Sequence, residues 1–515
     1  MTLRARKFAP LVAAAAALTL VLAGCAGAAS GAGDKDDKPT TLRWAFNLPT
    51  SWDPVTSSTG NDINTLSLVY ASLTQLDEKG NAGPGLAESW DYSDDGTEVT
   101  FHLRPDLTFT DDTPLDAEAV KASLERGKEQ ENSLLKDQLA TIESITTEGE
   151  LDVTLHLAAV DYQVPNLLAG KTGAIVSPTA AEKDAAALPT APVGAGPFTF
   201  ESFVPESNAV LVKNDGYWNA DEIHIDRFEL SVAPDPATIV AAIQSGSIDV
   251  ASVPATQIPE AEAAGLTVQQ LDTLGVSQVD VHTGIAPFDN PKVVEALKYA
   301  IDRQEIVDVL TAGTGTVTYQ PFPPGYVAYS PDLDDRYAYD PEKAKALLAE
   351  AGYNEGNPLS FEITAGAYNE AQAQLVQAQL AKIGVQATIS LVPAGSSTWQ
   401  QTVYLGRTAG FALDGTVGRE SPVQNLTVVY GPTGLMNTSR TASDEFLAAL
   451  DRVRATPLDD PDYPSILQEA VTIGVEQAAS FSTYTSKRIV VHGPAVSDLP
   501  EFVSQVRWEG VTVGD

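Results

Sequence analysis

The residues best suited to covalent chemistry are scattered along this chain. It has no G-x-S-x-G, H-E-x-x-H or C-x-x-C motif. Residues 170–172 (Gly-Lys-Thr) end like a phosphate-binding loop, but Pro165 stands where that loop has its first glycine. Adjacent acidic residues such as Asp94 and Asp95 point to opposite faces of a strand, so they make poor acid/base partners. The sequence predicts a non-enzyme, with a secreted hydrolase that uses two distant carboxylates as the alternative.

Metal-binding residues are equally sparse. Methionine occurs only at positions 1 and 436, and there is a single cysteine. The histidines form no close pair that would favour a transition metal: His102, His156, His224, His282 and His492. We therefore expect no protein-bound metal and no cofactor, although a metal held by a small chelator stays open as a ligand.

The single cysteine follows a segment typical of a secretory signal. Arg4, Arg6 and Lys7 form a positively charged start, and the apolar run 8–22 is too short for the ~20 residues that span a bilayer. Leu-Ala-Gly before Cys25 resembles the bacterial lipobox, in which the signal is cut before the cysteine and its thiol is lipidated. We expect residues 1–24 to be a lipoprotein signal peptide and 25–39 a flexible tether. Lipid on Cys25 would anchor the chain to the cell membrane, on its outer face or periplasmic side.

Composition excludes several classes of protein. The chain has 515 residues, of which 43% are hydrophobic, so large packed cores are expected and disorder is not. Its net charge of −38 becomes −41 once the three cations of the signal are removed. So acidic a surface repels phosphate backbones, and no nucleic-acid partner is expected.

The pattern of elements indicates an α/β fold. Residues 359–364 alternate like a strand, 368–383 carry a helical apolar stripe, and 385–392 form another strand, which makes one βαβ unit with parallel strands. Three Asx-Pro pairs predict helix starts at residues 235, 290 and 340, the second helix running to residue 310. Hairpin-like strands such as 98–103 and 151–157 dominate the chain before residue 275.

Six segments in order carry a family resemblance. They are an opening strand and loop ending in Asp-Pro (41–54), a Leu-Ala-Glu-Ser-Trp stretch (83–120), a Gly-Pro-Phe to Tyr-Trp stretch (192–218), and segments 241–250, 287–307 and 339–353. The chain resembles the solute-binding proteins of ABC importers, in the family 5 group that includes dipeptide, oligopeptide and nickel binders. The resemblance covers about residues 41–490. Asp112 stands where relatives have a turn glycine, and Asp tolerates a positive φ better than most residues.

The resemblance implies a two-lobed, periplasmic-binding-protein-like (type II) fold with an extra subdomain in the first lobe. The expected first lobe is 40–275 with an inserted subdomain at about 70–190, the second lobe is 276–484, and 485–515 returns to the first. The implied function is capture of an oligopeptide or similar small organic solute between two closing lobes. A monomer would deliver this solute to a membrane permease with ATPase subunits. A sugar or a metal chelate as ligand is the alternative.

The resemblance also suggests site residues. Peptide binders often grip the peptide's amino group with an Asp that follows a Trp, and here Asp414 follows Phe411. Asp414 is the candidate for a ligand cation, and an ordinary solvated loop residue is the other interpretation. Arg407 and Arg419 flank the same loop and are candidates for a ligand carboxylate. The remaining ligand-binding candidates are aromatic or come from the opening loop: Trp399, Tyr404, Asn47 and Trp52.

Overall fold

The computed structural model describes residues 39–393, 398–497, 499–503 and 505–514. The predicted signal peptide and Cys25 lie outside these residues. The strands of the described part are β1 (Thr41–Phe46), β2 (Thr74–Leu76), β3 (Ala82–Pro84), β4 (Ala87–Tyr92), β5 (Glu98–Leu103), β6 (Ile142–Glu148), β7 (Asp152–Leu157), β8 (Phe198–Val204), β9 (Asn208–Lys213), β10 (Arg227–Val232), β11 (Val250–Ser252), β12 (Thr267–Leu271), β13 (Val276–Val281), β14 (Thr316–Val317), β15 (Ser360–Gly366), β16 (Gln386–Val392), β17 (Phe411–Thr416), β18 (Phe481–Thr485) and β19 (Arg488–His492).

The α-helices of the same ranges are α1 (Ile63–Leu66), α2 (Ala117–Glu129), α3 (Val164–Leu167), α4 (Pro178–Asp184), α5 (Pro236–Gln244), α6 (Ile258–Ala263), α7 (Pro291–Ala300), α8 (Arg303–Leu310), α9 (Pro341–Glu350), α10 (Glu370–Lys382), α11 (Pro422–Tyr430), α12 (Asp444–Arg454) and α13 (Tyr463–Gln477). Among the described residues, none of the helices is long and apolar enough to cross a bilayer.

The first lobe is built on a seven-stranded mixed sheet in the order β12-β19-β11-β1-β10-β9-β8. β1 lies parallel to β10 and β11, whereas β19 runs antiparallel to both of its neighbours. One face of this sheet packs Trp44 and Phe228 against Trp508, with ring centroids 5.1 and 4.8 Å from the last ring. Strand β19 and Trp508 come from the C-terminal part of the chain, so the two ends of the sequence complete one core.

A four-stranded antiparallel sheet in the order β4-β5-β7-β6 forms a further layer, with α2 packed on β6 and β7. Its strands alternate as the sequence predicted, so that Val99 and Phe101 are fully buried. Arg126 of α2 makes a buried ion pair with Asp53, through Nη1 at 3.0 Å from Oδ1. This pair fixes the opening loop after β1 against the four-stranded layer.

The second lobe is built on a six-stranded sheet in the order β14-β18-β13-β17-β15-β16. The predicted βαβ unit is confirmed, because β15 and β16 pair in parallel over their whole length with α10 between them. Gly384 ends that unit's helix with a φ of +85°, which favours glycine. β17 belongs to this sheet, and the loop that follows β17 points toward the first lobe.

The predicted single helix from residue 290 to 310 is wrong. Asn290 caps α7 as predicted by accepting a bond from the amide of Lys292 at 3.0 Å, but α7 ends at Ala300. Asp302 then caps a new helix, α8, through the amide of Glu305 at 3.0 Å. The Asp302 side chain competes for backbone amides and so starts a second helix within an otherwise continuous apolar stripe.

The chain crosses between the two main sheets twice, once between β12 and β13 and once between β18 and β19. The two crossovers lie side by side, because the hydroxyl of Thr273 donates to the carbonyl of Ser486 at 3.1 Å. An exposed ion pair at 3.0 Å also joins Asp272 to Lys487. The two lobes are therefore linked by two short, adjacent segments.

Candidate functional site

A cavity of about 870 Å³ lies between the lobes. Its first-lobe wall comes from parts of residues 57–64, 133–141 and 158–172. Its second-lobe wall comes from parts of residues 400–405, 417–428 and 433–454, and Leu274 and Arg488 lie at the crossovers. The volume falls within the range of small-molecule sites, which runs from roughly 300 to 1,000 Å³.

Hydrogen bonds close the rim of this cavity by joining one lobe to the other. The second-lobe partners belong to α11, α12, α13 and the loop before α11. The bonds run from Gln424 Nε2 to Gln138 Oε1 (2.7 Å), from the Tyr162 amide to the Arg454 carbonyl (2.8 Å), from the Tyr463 hydroxyl to Gln163 Oε1 (3.1 Å) and from Asn166 Nδ2 to the Glu420 carbonyl (3.3 Å). These contacts define a closed arrangement of the lobes.

Two first-lobe glycines allow the loop after β17 to approach closely. A Cβ atom on Gly60 would lie 2.5 Å from Arg419 Nη1 and 2.6 Å from Val417 Cγ2. A Cβ atom on Gly170 would lie 2.1 Å from Glu420 Oε1. All three distances are shorter than non-bonded contacts allow. Arg419 Nη1 and Glu420 Oε1 are the ends of flexible side chains that can move aside, so Val417 is the neighbour that most restricts a side chain at position 60.

The lining of the cavity is cationic, in contrast to the chain as a whole. Six basic residues line it: Lys136, Lys171, Arg419, Arg440, Arg454 and Arg488. Four acidic residues do so: Asp137, Asp161, Glu420 and Asp451. The chain carries 31 basic and 69 acidic residues overall, so the surplus of basic residues is local to the cavity.

Lys171 and Arg419 both contact the first-lobe loop 57–60. Lys171 Nζ donates to the carbonyls of Ser57 and Thr59 at 2.9 and 3.0 Å. Arg419 Nη1 lies against Gly60 and donates to the Gly418 carbonyl at 2.9 Å. Burial and the positive charge of Arg419 lower the pKa of Lys171 to about 8. Two cations therefore face the same part of the cavity.

A pair of carboxyl groups lies behind the second-lobe wall. Asp280 on β13 and Asp414 on β17 are both buried, and Gln278 Nε2 donates to Asp280 Oδ1 at 2.6 Å. Burial and the negative charge of Asp414 raise the pKa of Asp280 well above its ordinary value. The hydroxyl of Tyr404 donates to Asp414 Oδ2 and separates that carboxyl from the cavity. A ligand cation reaches Asp414 only if Tyr404 moves.

Of the eight ligand-binding candidates from the sequence, Tyr404 and Arg419 line the cavity. Trp52 and Phe411 are fully buried in the cores of the first and second lobes. Trp52 packs 4.8 Å from Phe200, and Phe411 packs 5.2 Å from Phe361, measured between ring centroids. In this arrangement neither ring faces the cleft, because each is enclosed by other aromatic side chains.

The other four candidates lie outside the lining of the cavity. Asn47 is exposed, Trp399 packs edge-on at 6.4 Å from Tyr404, and Asp414 lies behind that same tyrosine. Arg407 is half-buried with a φ of +49°, and its charge acts on His282. Ligand contacts by these four residues stay predictions.

Lys171, Arg440, Arg454 and Arg488 line the cavity and were not predicted from the sequence. Lys171 lies in the Gly-Lys-Thr stretch that the sequence excluded as a phosphate loop. Arg488 is the first residue of β19, directly after a crossover. Its position next to the predicted return of the chain to the first lobe is the feature of the sequence that could have identified it. No group of three or more His, Cys, Asp or Glu side chains within the described ranges is placed to hold a metal ion.

Comparison with known proteins identifies the family of this fold. Residues 81–435 match the family model for bacterial extracellular solute-binding proteins, family 5 Middle. Heme-binding protein A of Haemophilus influenzae is 31% identical over 529 aligned residues, which cover 93% of this chain and 91% of that protein. The glutathione-binding protein GsiB of Salmonella paratyphi A is 34% identical over 338 residues, covering 63% of this chain and 64% of that protein.

Solved structures share the architecture. The periplasmic binding protein DppA of Helicobacter pylori, in complex with the peptide STSA, matches with a TM-score of 0.83 at 24% identity. The match covers 94% of this chain and 100% of DppA, and it shows the common two-lobed α/β fold. The chain therefore belongs to family 5 of the bacterial extracellular solute-binding proteins.

Proposed function

We propose that this chain captures a peptide or similar small organic solute in the cavity between its lobes and delivers it to a membrane permease. The observation that carries the proposal is the cavity of about 870 Å³ with walls from both lobes and hydrogen bonds across its rim. A solute that touches both walls stabilises the closed form over the open form. The relatives named above bind heme, glutathione and a peptide, which are organic solutes of this size class.

The lobes move about the two crossovers in this proposal. The first lobe comprises 40–275 with 485–515, and the second comprises 276–484. The sheet membership of β12, β13, β18 and β19 supports these boundaries. Two adjacent crossover segments allow rotation of one lobe against the other, as in hinged domain closure.

We also propose that binding, without turnover of the solute, is the whole activity, and that a lipid on Cys25 keeps the monomer beside its permease. The family is one of binding proteins, and the chain carries no familiar catalytic motif. The permease and its ATPase subunits supply the energy for import, because transport of a solute against its concentration gradient needs a coupled source of free energy.

The test is ligand-dependent compaction. The mature protein is screened by thermal shift against heme, glutathione, a set of di- to tetrapeptides, sugars and nickel–histidine. The radius of gyration is then measured by small-angle scattering with and without the best compound. A decrease in the radius at saturation supports capture by closure, and mass spectrometry of the mixture checks that the compound is unchanged. Saturation with no decrease, or conversion of the compound, contradicts the proposal.

A further inference from the structure

The basic residues of the cavity differ in whether they are neutralised. Arg454 has two acidic neighbours, because its Nη1 lies 3.0 Å from Asp451 Oδ1 and its Nε lies 4.0 Å from Asp161 Oδ2. The other five basic lining residues have no carboxylate oxygen within 4.0 Å among the described residues. Lys136 and Arg440 donate to backbone carbonyls close to them in the sequence. The search for a ligand class begins with Arg488, which has no such bond, and with Lys171 and Arg419, which act on each other across the lobes.

Arg488 is the least satisfied of the three. Its side chain has no hydrogen bond and no ion pair with any part of the chain that the structure describes. It is half-buried, and burial lowers the pKa of its guanidinium. A guanidinium has five N–H donors in a fixed fork, and withdrawing them from water without a partner is unfavourable. The exposed part of the group opens into the cavity.

Arg419 also has more N–H donors than hydrogen bonds. One bond goes to the Gly418 carbonyl, and the nearest acidic influence is the neighbouring Glu420. Lys171 donates to the backbone carbonyls of Ser57 and Thr59 and to the Ser57 hydroxyl at 3.4 Å, so all three of its donors are directed at the loop 57–60 and it contributes charge to the cavity. Its position beside Arg419 means that the two charges repel each other in the absence of an anion.

The fold brings Arg488 and Arg419 to neighbouring parts of the cavity. Arg488 pairs in register with Leu271 at the end of β12. Leu274, three residues further on, packs against Gly418, because a Cβ on that glycine would lie 2.2 Å from the Leu274 Cβ. Arg419 follows at once. The crossover segment thus links Arg488 at the hinge to Arg419 of the second lobe. Lys171 is the cation that the first lobe contributes.

We propose that the natural solute is an organic acid with carboxylate groups, bound by Arg419 and Arg488 and attracted by the charge of Lys171. This inference rests on the proposed function and names its substrate class. A carboxylate accepts two parallel bonds from a guanidinium, which is the geometry that unpaired arginines offer. Because the three cations belong to both lobes and the hinge, one acidic solute contacts all three parts of the site. It also neutralises Lys171 and Arg419, whose repulsion otherwise opposes closure.

The opposite polarity has less support in this chain. The carboxylate that peptide binders direct at a ligand ammonium corresponds to Asp414, which here lies behind Tyr404 and outside the cavity lining. The cavity therefore exposes hydrogen-bond donors to an acidic ligand, while Tyr404 separates the acidic pair Asp280 and Asp414 from it. Asp161 and Asp451 neutralise Arg454, so the cationic end of a zwitterion would meet Glu420 and Asp137, and these two residues do not offset the five remaining basic ones.

The test uses pairs of compounds that differ only in their carboxylates. Glutathione, trialanine and citrate are compared with glutathione diethyl ester, trialanine amide and triethyl citrate, together with neutral glucose. Dissociation constants are measured by titration calorimetry at two salt concentrations. We expect the acids to bind best, the esters and the amide to bind roughly 10- to 100-fold more weakly, and the affinity of the acids to fall at higher salt.

Variants locate the effect. Arg488→Gln and Arg419→Gln should each weaken the acids roughly 10- to 100-fold and leave the esters unchanged. The matched control is Arg452→Gln, which removes an exposed arginine from α12 outside the cavity lining. Arg488→Lys should recover part of the affinity, since it restores the charge without the fork.

The outcomes separate the two proposals. Equal binding of acids and esters, strongest binding of a neutral compound, or acid affinity that is unchanged in both glutamine variants overturns the acidic-solute inference. If such a neutral compound still compacts the protein, lobe closure as the function stands. If none of the acids raises the melting temperature, the inference is overturned as well, and the wider screen above decides the function.

Discussion

The replacement Gly60→Ala places a methyl group between the lobes. In the closed structure the new Cβ would lie 2.5 Å from Arg419 Nη1 and 2.6 Å from Val417 Cγ2. In an open form the two walls separate, and the methyl group meets neither atom. The change therefore acts on closure and leaves the fold of each lobe intact.

Its magnitude follows from the cost of overpacking. Arg419 Nη1 is the end of a flexible side chain and can move aside, so the cost arises mainly at Val417 Cγ2. Inserting a methyl group into a packed contact costs about 1–3 kcal/mol. At about 1.4 kcal/mol per tenfold change, the ratio of closed to open protein falls roughly 5- to 150-fold. The loss of backbone freedom in replacing glycine affects the unfolded chain, so it does not enter the balance between open and closed forms. The dissociation constant of the bound solute should rise by the same factor.

The assay measures the dissociation constant by calorimetry and the radius of gyration at saturation, with the compound that gives the largest thermal shift. Gly83→Ala is the matched control, because its nearest neighbour would be the Gln75 carbonyl oxygen at an ordinary 3.7 Å. Adding Val417→Ala to Gly60→Ala removes one of the two clashes and should restore part of the affinity. Wild-type affinity and wild-type compaction in Gly60→Ala would refute the closed contact between residue 60 and the loop after β17.

Three further predictions concern ionisation and anchoring. Burial and Arg419 lower the pKa of Lys171 to about 8, so the affinity for an acidic solute should fall between pH 7 and 9, and Lys171→Arg should flatten that fall. Constant wild-type affinity across this series would count against the role of Lys171. The raised pKa of Asp280 means that this carboxyl keeps its proton in the folded protein at pH values where the unfolded chain has lost it, so its contribution to stability declines as pH rises above about 4. Asp280→Asn should reduce this decline in thermal unfolding between pH 4 and 8, and an unchanged slope would contradict the burial of an ionisable pair. Cys25→Ser should release the protein from the membrane fraction, and retention there would exclude the predicted lipid anchor.

The sequence predicts local structure well where a single residue type decides it. Asp340 caps α9 through the Lys343 amide at 2.9 Å, as the Asp-Pro pair indicated. Asp112 adopts a φ of +62° in the turn where relatives have glycine. The family and the two-lobed fold were also predicted, because six motifs in order leave few alternatives. These features depend on short segments, which a sequence displays directly.

The candidate site was harder to predict because it depends on contacts between distant segments. Trp52 and Phe411 are aromatic residues beside cleft-forming loops, and the sequence does not show that Phe200 and Phe361 cover them. Arg488 and Arg419 are 69 positions apart in the sequence, and only the crossover geometry brings both to one cavity. The unpaired state of a cation is likewise visible only once all of its neighbours are placed.

Strand β19 lies between β12 and β11, although more than two hundred residues separate it from either of them along the chain. A polypeptide that emerges from a translocase amino terminus first exposes β11 and β12 long before their shared neighbour arrives. Their unsatisfied backbone edges are templates for unwanted pairing during that interval. The seven-stranded sheet therefore cannot be completed until residues 488–492 are available, and a truncation before residue 488 leaves the edges of β11 and β12 that β19 covers without a partner.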